Sequence, residues 1–149
     1  MERGLILVKD EERFLLVEDD RIDAMAVRRA LREIGSANPL DHVTDGEQAL
    51  DFLRDPKNPR PGLILLDLNM PRMNGLEFLA AVKTDPKLKM IPVVVLTTSR
   101  SDSDLLGSFG QGVAGYMLKP VDFGQFTDVM RTIRQYWATS ETPAQGNLA

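Results

Sequence analysis

Cysteine is absent from the 149 residues, and histidine and tryptophan occur once each. Without thiols there is no disulfide, iron–sulfur cluster or thiolate zinc site, so any metal must sit on oxygen or on His42. Long hydrophobic runs are missing too. Leu5–Val8, Phe14–Val17, Leu63–Leu66 and Val93–Leu96 all fall far short of the roughly 20 residues that a bilayer span needs. Positive charge is in deficit, with 18 Lys and Arg against 22 Asp and Glu for a net charge of −4. That balance disfavours non-specific attraction to nucleic acid or an anionic membrane. Residues Met1–Arg13 carry no basic start, long apolar stretch or small-residue cleavage site, so the expected compartment is the cytoplasm. No glycine-rich nucleotide loop occurs, which argues against ATP or GTP. What is present is a chain of single-domain length, 43% hydrophobic and 27% charged, as ordinary globular proteins are.

Four short apolar segments read as strands: Phe14–Val17, Leu63–Leu66, Ile91–Leu96 and Ala114–Leu118. Each is apolar on consecutive positions, the pattern of strands covered on both faces. Leu40–Thr44 alternates, as an outer strand does. Helical periodicity lies between them. One helix runs from Ile22 to Ile34 and stops at Gly35; another covers Glu47–Leu53; a third follows Gly75 and ends before Pro86. Leu105, Leu106 and Phe109 mark a weaker helix among glycines, and Phe126, Met130, Ile133 and Trp137 trace the last. This alternation predicts one doubly wound α/β domain, a five-stranded parallel sheet with helices on both faces. The expected domain spans 13–137. Residues 1–12 form an extension without an assigned role, and the small polar stretch 138–149 reads as a disordered tail.

In such folds the site forms beyond the carboxyl ends of the strands. Glu18-Asp19-Asp20 follows the first strand, Asp67 the third, Thr97-Thr98-Ser99 the fourth and Lys119-Pro120 the fifth. Carboxylates gathered on one rim repel unless a cation joins them, and an all-oxygen set suits a hard divalent ion, Mg²⁺ or Mn²⁺. Asp67 is then a carboxylate able to form an acyl phosphate, with Lys119 and the Thr97 hydroxyl as donors to phosphoryl oxygens. Asp20 reads more simply as a helix cap or solvated charge.

The segments FLLVEDD at Phe14–Asp20, LILLDLNMPRMNG at Leu63–Gly75, VVVLTTS at Val93–Ser99 and GYMLKP at Gly115–Pro120 resemble the receiver domain of two-component response regulators. The resemblance implies a flavodoxin-like, receiver-type fold. It implies that Asp67 takes the phosphoryl group from a sensor kinase's phosphohistidine, with Mg²⁺ on Glu18, Asp19, Asp67 and the backbone carbonyl of Asn69. It places Thr97 and Lys119 on the phosphoryl group, expects a cis Lys119-Pro120 bond, and gives Thr97 and Tyr116 the role of a switch. Asn69 and Ser99 take the positions that tune hydrolysis. The loop before LILLDLNMP, the LTTS strand end and the Tyr136-Trp137 helix end look similar to small stand-alone receivers that partner bacterial phytochrome-type histidine kinases.

Other residues are weighed beside these. His42, on the weak strand and far in sequence from the acidic residues, reads as a surface or edge-strand imidazole. Tyr136 and Trp137 are candidates for a homodimer contact, since aromatics favour interface centres. Arg28, Arg29 and Arg32 form a modest basic run. After Trp137 only 12 residues follow, and no basic helix-turn-helix pattern occurs, so output is expected through protein contact rather than DNA. The expected molecule is a phosphoacceptor and not an enzyme. The competing reading is an aspartyl-phosphate phosphohydrolase resembling the haloacid dehalogenase group, whose general acid two residues after the nucleophile is replaced here by Asn69. A flavodoxin-like FMN carrier is disfavoured because Glu18-Asp19-Asp20 would repel the FMN phosphate.

Overall fold

The computed structural model describes residues 12–68, 70, 73–97, 112–113, 115–118 and 123–139. Its strands are β1 (Phe14–Val17), β2 (Leu40–Val43), β3 (Leu63–Leu66), β4 (Val93–Thr97) and β5 (Gly115–Leu118). They form one sheet in the order β2-β1-β3-β4-β5, every neighbouring pair parallel. The helices are α1 (Arg21–Glu33), α2 (Gly46–Arg54), α3 (Gly75–Thr84) and α4 (Phe123–Thr139). The helix expected around Leu105, Leu106 and Phe109 lies outside the described residues, as do the extension before Glu12 and the tail beyond Thr139. Among the described residues no helix is long and apolar enough to cross a membrane.

The apolar runs form central strands because both faces of the sheet are covered. Leu15, Val17, Ile64, Leu66, Val93 and Val95 pack under α2 and α3, against Ala49, Leu50, Phe78, Leu79 and Val82. Alternate residues Phe14, Leu16, Leu63, Leu65, Val94 and Leu96 pack under α1 and α4, against Ala24, Val27, Ala30, Leu31, Met130 and Ile133. Period two in the strands thus meets period 3.6 in the helices, once on each side.

Local chemistry sets the helix starts. Asp20 caps α1, its side chain accepting from the N–H groups of Ile22 and Asp23, which is the role read for it in the sequence. Asp45 caps α2 by accepting from Gln48. Asn74 and Glu77 close a reciprocal capping box on α3. β4 begins two residues later than its apolar run suggests. Pro92 has no N–H to give a ladder, and the Ile91 N–H is spent on the Leu88 carbonyl in the preceding turn.

Candidate functional site

Register decides what meets at the rim. Val17 of β1 lies beside Leu66 of β3, so Glu18 and Asp67 leave the sheet next to each other. The Asp67 N–H still donates to the Val17 carbonyl at 3.0 Å. The strand order reverses here: β1 continues through α1 toward β2 on one side, and β3 through α3 toward β4 on the other. That divergence opens the crevice in which ligands of open α/β sheets bind.

Glu18 is 1% exposed and Asp67 8%, whereas Asp19 is exposed. One carboxylate oxygen from each of the three lies within 4.8 Å of the others. The turn carrying the first two is built from local hydrogen bonds. The Asp20 N–H donates to Glu18 Oε2 at 3.2 Å, and Asp20 Oδ1 accepts from Ile22 and Asp23 at 2.8 and 3.1 Å. The side chain of Asp20 thus serves the helix.

The chain after Asp67 is fixed by packing. Leu68 and Met70 are buried in the core under α2 and α3, and the Gly75 N–H donates to the Leu68 carbonyl at 2.9 Å. A Cβ on Gly75 would stand 2.4 Å from Leu68 Cα and 2.7 Å from the Asp67 carbonyl oxygen. Glycine is required because backbone approaches backbone, an indispensability that no sequence pattern announces.

Three carboxylates this close repel by on the order of 4 kcal/mol per pair at an effective dielectric near 20. The donor set is oxygen only, two members are buried and one is exposed. It fits a hard divalent cation that keeps part of its water shell. Among the described residues this is the cluster of acidic, His or Cys side chains with metal-binding spacing.

The remaining expected site residues divide by placement. Thr97 ends β4 and lies beside Leu118, the end of β5, so these two strand ends share a rim. The side chains of Thr97, Tyr116, Tyr136 and Trp137 lie outside the described set, as do the whole of Asn69, Ser99, Lys119 and Pro120. His42 sits on β2, at the edge of the sheet among the described strands, which agrees with its edge-strand reading. That reading missed one contact: His42 Nε2 lies 2.8 Å from the Glu18 carbonyl oxygen. The Leu16–His42 register that makes this contact depends on which strands pair, which one-dimensional periodicity does not encode.

A parallel sheet of this order with acidic residues at the ends of β1 and β3 defines a class, and the chain belongs to the response regulator receiver domain family, which matches residues 14–131. Within it, the chain is similar to stand-alone receivers. It is 38% identical over 132 residues to the response regulator Rcp1 of Synechocystis sp., covering 86% of this chain and 90% of Rcp1. A structure of the Mn²⁺-bound form of Rcp1 superposes with a TM-score of 0.81 at 37% identity, covering 88% of this chain and 97% of the other. The phosphorylated cyanobacterial phytochrome response regulator RcpA gives a TM-score of 0.82 at 35% identity, covering 89% and 99%. "Probable methanogenesis regulatory protein FilR2" of Methanothrix harundinacea is 39% identical over 126 residues, covering 83% of this chain and 81% of that protein. Accepting a phosphoryl group is the general function of receiver domains, which are not generally classed as enzymes.

Proposed function

We propose that this chain is a stand-alone receiver whose Asp67 accepts a phosphoryl group from the phosphohistidine of a sensor kinase, with Mg²⁺ or Mn²⁺ held at the rim. The observation that carries this reading is the meeting of Glu18, Asp19 and Asp67 within 4.8 Å where β1 and β3 diverge. Glu18, Asp19, one oxygen of Asp67 and the Asn69 carbonyl would hold the cation. Bound there, the cation supplies charge neutralisation for the incoming phosphoryl oxygens. The other Asp67 oxygen attacks phosphorus, the phosphorus–nitrogen bond of the donor histidine breaks, and an acyl phosphate forms on Asp67. Lys119 and Thr97 would donate to the phosphoryl oxygens, and movement of Thr97 would let Tyr116 turn inward. The acting unit is 13–137.

The kinase partner is proposed to be of phytochrome type, supported by the similarity to RcpA and Rcp1. The first turns of α1 supply a surface for such a partner. Ile22 is 76% and Met25 62% exposed, just after the acidic turn, and Arg28 and Arg32 are exposed further along the helix. Output is proposed to pass through protein contacts, including a homodimer in which Tyr136 and Trp137 take part. Sedimentation at equal concentration is expected to show a dimer for wild type and a larger monomer share for Trp137→Ala. Equal masses would remove that contact.

Acetyl phosphate with Mg²⁺ tests the central reading. Wild type is expected to take up about one phosphoryl group per chain, and Asp67→Asn or chelation is expected to abolish uptake. Full labelling of Asp67→Asn would refute the assignment. Sustained release of phosphate from a generic ester would favour the phosphohydrolase instead.

A further inference from the structure

We propose that His42 is a positioning residue for the acidic site. Its ring Nε2–H holds the main-chain carbonyl of Glu18 and thereby sets the Glu18–Asp19 turn toward a divalent cation. This rests on the metal-site reading above and adds a residue to it.

The ladder between β1 and β2 runs up to the Glu18 N–H, which donates to the Val43 carbonyl at 3.0 Å. There β2 stops, and the chain turns into α2, with the Thr44 N–H going to Gln48 Oε1 at 3.0 Å. At the Glu18 carbonyl a side chain supplies a contact: His42 Nε2 lies 2.8 Å away. A carbonyl only accepts, so Nε2 carries the proton. The ring is partly buried, which shelters the bond from competing water.

The position of this bond gives it leverage. The Glu18 carbonyl and the Asp19 N–H belong to one rigid peptide plane. Rotating that plane swings Asp19, whose side chain is exposed. It also displaces the Asp20 N–H that holds Glu18 Oε2 at 3.2 Å. His42 therefore acts on two carboxylates of the cluster without touching either of them through its ring. It also ties the edge strand to the site at the centre of the sheet.

The test uses the full chain and Mn²⁺, followed by loss of the paramagnetic resonance signal of the free ion. His42→Phe retains a ring and removes the donor; His42→Gln returns an amide N–H near the place of Nε2. His42→Phe is expected to bind Mn²⁺ about fivefold more weakly, the net worth of one hydrogen bond. His42→Gln is expected to stay within about twofold of wild type, since it restores that bond. If the phenyl ring prevents folding, His42→Leu removes the same donor and carries the same expectation. A purely structural role would lower the melting temperature of the metal-free protein and leave Mn²⁺ affinity alone. The proposal is overturned if His42→Phe or His42→Leu binds as wild type does, or if His42→Gln loses as much as they do. Wild type binding no better than Asp19→Asn would instead sink the metal site itself, and this proposal with it.

Discussion

At the amino end of β1, the Arg13 guanidinium grips the Asp41 carboxylate of the neighbouring strand through two hydrogen bonds of 2.8 and 2.9 Å. At the carboxyl end of the same strand, Glu18, Asp19 and Asp67 bring three like charges together. At the amino rim this pair neutralises itself within the fold, and the hydrogen bond to Asp41 raises the Arg13 pKa above its ordinary value. Among the described residues the carboxyl rim gathers three carboxylates at a crevice, an arrangement that suits a divalent cation. One rim closes an ion pair within the fold and the other is the proposed binding site, although both grow from the same parallel register.

The largest test of this contrast is Gly75→Ala. The added Cβ would meet Leu68 Cα at 2.4 Å and the Asp67 carbonyl at 2.7 Å, both backbone atoms that cannot rotate away. Alanine is a better helix former than glycine by about 1 kcal/mol, but here overpacking opposes that gain. A net loss of about 2 kcal/mol is expected in denaturant unfolding, together with weaker phosphoryl uptake as Asp67 is displaced. An unchanged or stabilised variant would mean that the Asp67 loop yields freely, and that packing does not hold the carboxyl rim.

Next come paired neutralisations with opposite signs. Asp19→Asn removes one of three clustered charges. Because Asp19 is exposed and water screens its charge, the change is expected to raise metal-free stability by only about 1 kcal/mol, well below the repulsion of sheltered carboxylates. It is expected to lower Mn²⁺ affinity at least about tenfold. Asp41→Asn leaves Arg13 without its carboxylate and is expected to lower stability by about 1 kcal/mol or less, because both side chains stay partly in water. Its Mn²⁺ affinity is expected to match wild type. Added salt would shrink both stability effects, since both are Coulombic and partly solvated. If both substitutions shift stability in the same direction, the contrast between the rims fails.

Much of this arrangement is legible in the chain itself. Phe14–Val17 and Leu63–Leu66 are apolar on every residue because both faces are covered. The acidic residues directly after them meet because a parallel sheet aligns strands end to end. The cap at Asp20 and the α3 start at Gly75 follow from local chemistry. Less legible are features set by chain segments distant in sequence. The contact of His42 with Glu18 depends on β2 pairing with β1 at one register, and the need for glycine at 75 depends on how closely α3 approaches the Asp67 loop. The late start of β4 was obscured because Ile91 is as apolar as its neighbours, yet its N–H closes a turn on Leu88. Periodicity reports which side of an element is buried, and leaves the choice of hydrogen-bond partner to the fold.

The smallest expected effect concerns a cation near the start of β4. Lys83, in the last turn of α3, is half-buried, and its ammonium donates to the carbonyls of Lys89 and Ile91 at 3.2 and 3.3 Å. Burial lowers its pKa below 10.5, so the folded chain holds this proton less tightly than the unfolded chain does. The cost of keeping Lys83 charged is therefore fully present below the lowered pKa and disappears as pH rises from there to 10.5. Lys83→Met removes the titration while keeping much of the stem. The stability of wild type minus that of Lys83→Met is expected to rise across this alkaline window, and the subtraction cancels the other titrating groups. The amplitude should be small because the amine is half in water and already bonded to two carbonyls. A flat difference would mean that the two carbonyls fully replace the lost hydration. A falling one would mean that they stabilise the ammonium beyond water, leaving Lys83 as firmly satisfied as Arg13.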